Sequence, residues 1–303
     1  LSLDELLASV KDDLARVVLA EDGTPLWRFA DANGVWRYPV HTSEVSPYYL
    51  DALLTYEDRW FYSHPGVNPL ALARATWQNL TGARVVSGGS TLSMQVARLL
   101  DPHSRTFHGK LRQLWRTAQL EWHLSKDEIL NLYLNRAPFG GTLQGVAAAS
   151  WAYLGKSPAQ LTHAEAALLA VLPQAPSRLR PDRHPQRAQQ ARDKVLRRLA
   201  EFKVWPQAAV DEALEEPLLL APRLEPSLAP LLARRLNRPD SPPLIRTTLD
   251  ATLQRRLEDL LLGWRARLPE HTSAAILVVE EESMAVRAYL GSVDINDTKR
   301  FGH

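Results

Sequence analysis

The stretch THAEAALLAVLP, residues 162–173, predicts a helix and indicates the fold class of the chain. Thr162 and Glu165 have the spacing of a capping box, in which each side chain accepts a hydrogen bond from the other residue's backbone N–H. Pro173 lacks the N–H that a continuing helix needs, so the helix must end or kink there. The apolar run inside this stretch is far shorter than the about 20 residues that span a bilayer.

Two further helix starts lie upstream of this stretch. Ser125 and Glu128 repeat the capping-box pattern at the start of SKDEILNLYLN, residues 125–135. Ser46 before Pro47 combines an N-cap residue with a proline at the first helical position. From there on the spacing of apolar residues is mainly helical, so we predict a mainly α fold.

A β-hairpin is predicted near the start of the chain. In RVVLAEDGTPLWRFADANGVWRYPV, residues 16–40, the pairs Asp22-Gly23 and Asn33-Gly34 interrupt β-branched and aromatic runs. Such pairs are typical of tight hairpin turns. We therefore expect a small sheet there.

A change in composition divides the rest of the chain. Between 206 and 246 prolines recur, as in EEPLLLAPRLEPSLAPLL and NRPDSPPL, which favours an extended connector. Beyond it, DATLQRRLEDLLLGWRARL has helical spacing, and AAILVVEEESMAVRAYLGSV predicts two strands around an acidic turn. The predicted segments are a β-hairpin segment at 1–40, a helical domain at 41–205, a proline-rich linker at 206–246 and the first part of a further, truncated domain at 247–303.

The composition excludes several classes of site. With 45% apolar and 23% charged residues the chain should fold. Its formal charge of +2 suits phosphate or an anionic membrane surface but is too small to indicate nucleic-acid binding. The arginine-rich run at 177–198 lacks interleaved aromatic residues, so we predict an exposed loop and helix there. The absence of cysteine excludes thiol nucleophiles, disulfides and cysteine-ligated zinc.

The stretch YEDRWFYSHPGVNP, residues 56–69, is the first candidate site. Glu57 and Asp58 end an apolar helix next to Trp60 and Phe61, whose rings could exclude water from a carboxylate. Such burial raises the pKa of a carboxyl group toward the range of a general base. A solvated acidic helix end is the alternative. The histidine before the Pro-Gly break is expected to bond the turn backbone rather than a metal.

Two further stretches are candidate anion sites. In SGGSTLSMQVARLL, residues 87–100, two glycines and several hydroxyl side chains precede a helix, whose N-terminus can bind phosphate. Ordinary helix capping explains the same pattern. In HGKLRQLWRTAQLEWHL, residues 108–124, Lys110, Arg112 and Arg116 cluster on a helix. This cluster forms either a solvated basic face or a surface that neutralises a diphosphate.

In their order along the chain, these stretches resemble the glycosyltransferase module of class A penicillin-binding proteins, most closely the 1C type. These proteins contain the peptidoglycan glycosyltransferases of family 51. EDRWFYSHPG is similar to the first family motif, GGSTLSMQ to the second, GKLRQ to a divergent third, SKDEILNLYLN to the fourth and ALLAVLPQAPS to the fifth. The resemblance covers about residues 40–205. It implies a lysozyme-like helical domain, followed by the entry into a transpeptidase module.

The resemblance also implies a reaction and a role for each matched residue. Glu57 would be the general base that deprotonates an acceptor sugar hydroxyl. That hydroxyl would attack the anomeric carbon of a glycan chain with inversion and release undecaprenyl diphosphate. Asp58, His64 and Gly66 would hold the turn that aims the base, and Gln113 would support catalysis. The residues that would bind the substrate are Ser90, Thr91, Gln95, Arg98, Lys110, Arg112 and Asn135.

One motif departs from the family pattern. The third family motif is Arg-Lys-x-x-Glu, whereas this chain has Gly109, Lys110 and Gln113 at those three positions. Glutamine keeps an acceptor oxygen but carries no charge, so it holds a divalent cation such as Mg²⁺ or Mn²⁺ poorly. The metal requirement is therefore open, and a weak or inactive module that binds lipid II or glycan is the alternative function. A lysozyme-like hydrolase, a third hypothesis, would need a general acid beside the base.

The resemblance further implies a place in the bacterial cell envelope, at the periplasmic face of the cytoplasmic membrane. An apolar segment with Leu70, Leu72, Trp77 and Leu80 would either dip into the membrane or pack in the core. The implied partners are lipid II, the growing glycan strand, the membrane surface and other cell-wall synthesis proteins. The chain starts at Leu1, so we expect a fragment whose membrane anchor is missing. The sequence contains no Ser-x-x-Lys spacing, so acylation by penicillin is not expected.

Overall fold

A computed structural model describes residues 2–12, 15–67, 90–104, 106–221, 227–269 and 271–294. The chain divides into two compact units. The larger unit comprises Leu1–Asp13 and Pro39–Pro222, and the smaller unit comprises Leu14–Tyr38 and Arg223–His303. Every candidate catalytic or substrate-binding residue belongs to the larger unit.

The described residues are mainly helical. The helices are α1 (Leu3–Asp12), α2 (Pro47–Glu57), α3 (Leu92–Leu100), α4 (Phe107–His123), α5 (Lys126–Arg136), α6 (Val146–Ala149), α7 (His163–Val171), α8 (Pro176–Leu179), α9 (Pro185–Glu201), α10 (Gln207–Glu215), α11 (Pro230–Leu236) and α12 (Ala251–Trp264). The strands are β1 (Arg16–Leu19), β2 (Pro25–Phe29), β3 (Pro138–Gly140), β4 (Leu143–Gln144), β5 (Leu244–Arg246), β6 (Ile276–Val279) and β7 (Val286–Leu290).

Helix α7 is the centre of the larger unit's core. Seven of its nine residues are buried, and α2, α9 and α10 pack around it. A helix that is apolar on every side is stable only when neighbours surround it. Thr162 and Glu165 form the predicted capping box. The helix ends at Val171, directly before a 3-10 turn that contains Pro173, as the sequence predicts.

The other predicted helix starts are also confirmed. Ser125 and Glu128 form the capping box of α5, and α2 begins at Pro47. The Ser46 hydroxyl, however, donates to the carbonyl of Leu161 instead of capping α2. The mainly α fold class is therefore confirmed, whereas the likeness to lysozyme stays a prediction.

Helices α3, α4 and α5 form the layer that carries the candidate site. Helix α3 packs against both α4 and α5. Thr91 caps α3 by accepting a hydrogen bond from the Met94 N–H, and Thr106 caps α4 in the same way. The buried residues of α3 are Leu92, Ser93, Met94, Val96, Ala97 and Leu100. This burial leaves Gln95 and Arg98 on the more accessible side of α3.

In the smaller unit, the predicted hairpin pairs with a strand that is distant in the sequence. Strands β1 and β2 are antiparallel around a turn with Gly23 at φ 85°, and β1 also pairs in parallel with β5. Val18, Leu26 and Ile245 from these three strands share one buried cluster. An isolated hairpin is marginally stable in water, so the third strand and the buried cluster stabilise it.

Two segments differ from the sequence-based expectation. Residues 3–12 form α1, although the sequence places them in a hairpin segment. The stretch 206–246 contains α10, α11 and β5 rather than an extended connector. Its prolines mark helix starts, since Pro206 is the N-cap of α10 and Pro230 is the first residue of α11. Helix α12 and the β6–β7 pair are as predicted, and the division into four segments stays a prediction.

Arg192 on α9 is a fully buried arginine that holds the end of α10. Its Nη1 donates to the Glu216 carbonyl at 2.7 Å, and its Nη2 donates to the Leu214 carbonyl at 3.4 Å. Asp193 balances its charge at 2.8 Å. The guanidinium therefore satisfies carbonyls that the helix end leaves without partners.

Arg192→Met should lower the free energy of unfolding by about 3 kcal/mol, because two helix-end carbonyls and one carboxylate lose their partner. Chemical denaturation followed by far-UV circular dichroism measures this loss. Arg187→Met, on the exposed side of the same helix, is the matched control. A loss no larger than that of the control would contradict the structural role of Arg192.

Candidate active site

Glu57 is the last residue of α2, and its half-buried side chain reaches helix α3. Its Oε2 accepts a 2.8 Å hydrogen bond from Gln95 Nε2. Its Oε1 is buried and has no hydrogen-bond partner among the described residues. A buried oxygen without a partner is costly in a folded protein and calls for a functional explanation.

Burial raises the pKa of Glu57 above the ordinary glutamate value, and the charge of Asp58 adds to the rise. The hydrogen bond from Gln95, the nearby side-chain amide of Gln174 and the charge of Arg198 oppose the shift without cancelling it. Glu57 also lies at the C-terminal end of α2, where the helix dipole disfavours a negative charge. These effects move the carboxyl group toward the proton affinity that suits a general base near neutral pH.

The residues around Glu57 differ in part from the predicted ones. Trp60, expected to exclude water from the carboxylate, is 59% exposed, whereas Phe61 is buried as expected. Tyr49 and Tyr133 are fully buried, which raises the pKa of both, and the charge of Glu57 raises each pKa further. These two tyrosines therefore lie within electrostatic reach of Glu57. Tyr49 lies outside the sequence motifs, and Tyr133 lies in SKDEILNLYLN, where the sequence predicts no role for it.

Asp58 fixes the turn that follows Glu57. Its Oδ1 lies 2.8 Å from His64 Nε2, and its Oδ2 accepts a 2.9 Å hydrogen bond from the Leu92 N–H at the start of α3. One carboxylate therefore joins the end of α2, the following turn and the start of α3. A negative charge is favourable at a helix N-terminus, so this contact suits both partners.

Gly66 closes the same turn against α4. Its φ of 79° favours glycine, and a Cβ there would lie 2.5 Å from Glu121 Cγ. Its carbonyl accepts a hydrogen bond from the Thr91 hydroxyl at 2.5 Å. Glu121 accepts hydrogen bonds from Ser93 Oγ and, at 2.7 Å, from Lys126 Nζ. Glu121 is thus committed to this network and does not replace the acidic residue that the third motif lacks.

A pocket of about 290 Å³ lies between α3, α4 and the loop that joins them. Its lining residues are Ser90, Arg98, His103, Ser104, Thr106, Lys110 and Gln113. Burial lowers the pKa of Lys110, and the charge of Arg98 lowers it further, so two cations lie close together. Among the described residues, no carboxylate forms an ion pair with either one. Two uncompensated cations among hydroxyl groups suit a phosphate or diphosphate.

Helix α3 connects this pocket to the candidate base. Gln95, which bonds Glu57, and Arg98, which lines the pocket, are three positions apart and so lie on one side of the helix. The structure thus brings a proton acceptor and a cationic pocket to one helix. This arrangement can deprotonate a hydroxyl group and stabilise an anionic leaving group.

The side-chain amide of Gln113, at the divergent motif position, already has partners. Its Nε2 donates to the Met94 carbonyl at 2.7 Å, and its Oε1 accepts from Lys110 Nζ at 3.1 Å. An oxygen bonded to an ammonium group is a poor ligand for a second cation. Within the ranges that the structure describes, no group of three or more His, Asp or Glu side chains is arranged to hold a metal ion. These residues do not fit a protein-held Mg²⁺ or Mn²⁺.

Four predicted substrate-binding residues do not line the pocket and already have protein partners, namely Thr91, Gln95, Arg112 and Asn135. Arg112 binds Asp101 through two hydrogen bonds of 2.9 and 2.7 Å and does not line the pocket. Asn135 Oδ1 accepts from the Val40 N–H, and its Nδ2 donates to the carbonyls of Val40 and Asn131. A substrate would have to displace these partners. The substrate-binding roles of these four residues therefore stay predictions.

Three pocket residues are absent from the sequence-based predictions. His103, Ser104 and Thr106 line the pocket from the loop between α3 and α4. Thr106 directly precedes α4 as its N-cap, so helix capping is the one sequence signal that could have indicated this loop. The other two have no motif of their own.

The predicted membrane segment with Leu70, Leu72, Trp77 and Leu80 lies outside the described residues, as does the glycine pair at 88–89. The membrane contact of the segment with Leu70 and Leu80 stays a prediction. Of the helices in the described residues, none is long and apolar enough to cross a membrane.

The chain is similar to a known protein family and to several named proteins. A transglycosylase family model matches residues 22–200. The chain is 66% identical over 289 residues to penicillin-binding protein 1C of Escherichia coli strain K12. The aligned region covers 95% of this chain and 38% of that protein. The chain is also 35% identical over 215 residues to penicillin-binding protein 1A of Pseudomonas aeruginosa. That alignment covers 71% of this chain and 26% of that protein. A crystal structure of penicillin-binding protein 1A from Haemophilus influenzae matches with a TM-score of 0.41 and 21% identity, over 90% of this chain and 32% of that one.

The chain thus spans 38% and 26% of the length of these two relatives. The family match covers more than half of the chain and includes Glu57 and the whole pocket. The chain therefore belongs to the transglycosylase family.

Proposed function

We propose that this chain contains a peptidoglycan glycosyltransferase that polymerises lipid II into glycan strands. The observation that carries the proposal is the carboxylate of Glu57, which has a raised pKa and a buried oxygen without a described partner. A nearby pocket with two cations supports the same chemistry. Membership of the transglycosylase family and the relatives named penicillin-binding proteins favour this substrate class.

In the proposed reaction, Glu57 accepts the proton of the acceptor sugar hydroxyl. The hydroxyl oxygen forms a bond to the anomeric carbon of the donor glycan while the bond from that carbon to the diphosphate oxygen breaks. A single displacement inverts the configuration at this carbon and needs one positioned base. Undecaprenyl diphosphate leaves with the electron pair of the broken bond.

Lys110 and Arg98 are the groups proposed to stabilise the leaving diphosphate. Negative charge on the diphosphate grows as the bond breaks, so fixed cations favour the transition state over the bound substrate. Lys110 is partly withdrawn from water, which strengthens its interaction with an anion. The hydroxyls of Ser90 and Thr106 line the same pocket and can donate hydrogen bonds.

We propose that side-chain cations, rather than a metal ion held by the protein, stabilise the leaving diphosphate. The support is the uncharged Gln113 at the position where the family pattern has a second carboxylate, since its Oε1 accepts a hydrogen bond from Lys110 Nζ without neutralising that charge. An ammonium group is a compact positive charge with three donors, well suited to phosphate oxygens.

The proposed location is the periplasmic face of the cytoplasmic membrane in a bacterial cell envelope. A donor with an undecaprenyl chain keeps its hydrocarbon part in the bilayer, so the enzyme must work at a membrane surface. Other cell-wall synthesis proteins are proposed as partners from the family resemblance alone.

A second candidate function is a lipid II-binding module with little or no turnover. The uncharged Gln113 favours it, because the family pattern has an acidic residue there. Both functions need the cationic pocket, and only the glycosyltransferase needs Glu57 as a base. Polymer formation therefore separates them.

Glu57→Gln should lower the rate of lipid II polymerisation by about 10²–10⁴-fold, the usual contribution of a positioned general base. Labelled lipid II in detergent and gel separation of the strands measure the rate. Glu212→Gln, exposed on α10, is the control. An unchanged rate in Glu57→Gln would contradict its role, and lipid II binding without any wild-type polymer would favour the binding module.

The wild-type rate should fall toward acid pH at a higher pH than an ordinary glutamate would give, because the raised pKa of Glu57 keeps it protonated there. Gln95→Leu removes a hydrogen bond that stabilises the ionised form, so the acid limb should move to still higher pH. The pH profile of kcat/KM measures both effects, with the exposed Gln190→Leu as control. An acid limb that stays in place or moves to lower pH would show that Gln95 does not tune the base.

Removal of divalent cations with EDTA should leave most of the wild-type polymerisation rate, since Lys110 and Arg98 carry the charge. Gln113→Glu should weaken substrate binding several-fold and make the rate depend on added Mg²⁺, because a carboxylate neutralises Lys110 and faces the Met94 carbonyl. Exposed Gln189→Glu is the control for added charge. Wild-type activity that disappears with EDTA and returns with Mg²⁺ would overturn this part of the proposal.

A further inference from the structure

Helix α4 carries a row of large apolar side chains that face solvent. Phe107 is 79% exposed, Leu111 49%, Trp115 68% and Trp122 87%, and we call these four residues the α4 apolar face. At about 100° per residue they lie within an arc of about 80°, and they extend over about 22 Å of the helix. A contiguous exposed row of this size marks a surface that binds a partner or a membrane.

One arginine and two histidines follow one edge of the α4 apolar face. His108, Arg112 and His123 are exposed along this edge. Asp101 pairs with both Arg112 and Arg116, so these three side chains together have one net positive charge.

The exposed surface of α4 lacks negative charge. Its only acidic residue is Glu121, which is largely buried and bonded to Lys126 and Ser93. An aromatic face beside basic groups, on a helix that exposes no carboxylate of its own, complements an anionic lipid surface. A protein groove of mixed polarity would fit this composition less well.

We propose that the α4 apolar face rests on the surface of an anionic phospholipid bilayer. Trp115 and Trp122 would lie at the depth of the headgroups, where indole rings are favoured. Phe107 and Leu111 would contact the acyl boundary, and Arg112 would contact lipid phosphates. This surface differs from the segment with Leu70 and Leu80 that the sequence predicts to contact the membrane.

The position of the pocket on the same helix supports this orientation. Two residues that line the pocket, Lys110 and Gln113, lie beyond one edge of the α4 apolar face. His108 and Arg112 lie beyond its other edge. A helix lying on the bilayer would therefore hold the pocket at the level of the lipid headgroups. In this respect the inference rests on the proposed function, because a diphosphate-linked lipid donor presents its diphosphate at that level.

Vesicle flotation of the full chain tests the proposal without any lipid II. Wild type should bind vesicles of phosphatidylglycerol and phosphatidylethanolamine more than tenfold better than phosphatidylcholine vesicles. The triple variant Phe107→Ser, Trp115→Ser, Trp122→Ser should lose at least tenfold in partition. The matched control Leu219→Ser, Leu277→Ser, Met284→Ser removes exposed apolar residues elsewhere in the chain and should bind as wild type does.

A second measurement covers the case in which the triple variant unfolds. Brominated anionic phospholipids should quench part of the wild-type tryptophan emission, and the conservative pair Trp115→Phe, Trp122→Phe should lose that quenched part. Equal flotation of wild type and triple variant, equal binding to neutral vesicles, or quenching as strong in the pair as in wild type would overturn the proposal.

Polymerisation in detergent separates this inference from the proposed function. Wild type and the triple variant should polymerise detergent-dissolved lipid II at similar rates, because none of the three side chains lines the pocket. A wild type that binds vesicles through this face but makes no polymer would support the membrane surface and contradict the glycosyltransferase function.

Discussion

The proposed chemistry depends on one carboxylate, that of Glu57, held at the end of a helix with one oxygen bonded and the other buried without a described partner. Its position is set by the packing of α2 on the central helix α7 and by Asp58, which joins the end of α2 to the start of α3. Such a charge destabilises the folded protein, and a rigid surrounding is what keeps it from turning toward water.

Glu57 and the pocket each carry charge that no ion pair balances within the part of the chain that the structure describes. Among the described residues, Glu57 has no hydrogen-bond donor for its buried oxygen, and Lys110 and Arg98 have no anionic partner. A bound sugar hydroxyl and a bound diphosphate would supply both, so substrate binding offsets electrostatic costs that the folded protein carries alone. Gln113 shows how the divergent third motif keeps the pocket cationic, because its amide bonds Lys110 without neutralising it.

Features that depend on neighbours in the sequence could be predicted, and features that depend on distant contacts could not. The capping boxes at Thr162 and Ser125 are local, so their sequence patterns were sufficient. The prolines at 206–246 were misinterpreted because proline both breaks helices and starts them. The electrostatic interaction of Glu57 with Tyr133 and the hydrogen bonds from Arg192 to the end of α10 join residues far apart in the chain. The family resemblance predicted a role for each candidate residue along the chain. The structure shows which of these residues line one pocket.

The pKa of Glu57 itself tests the central claim most directly. Carbon-13 NMR of the chain labelled at glutamate side-chain carboxyl carbons, with Glu57→Gln to assign the signal, follows its titration. The account predicts a pKa above those of the exposed glutamates, with a further rise in Gln95→Leu. A Glu57 that titrates at or below the exposed glutamates would contradict the account, because an ordinary solvated carboxylate has neither the burial nor the proton affinity proposed for this base.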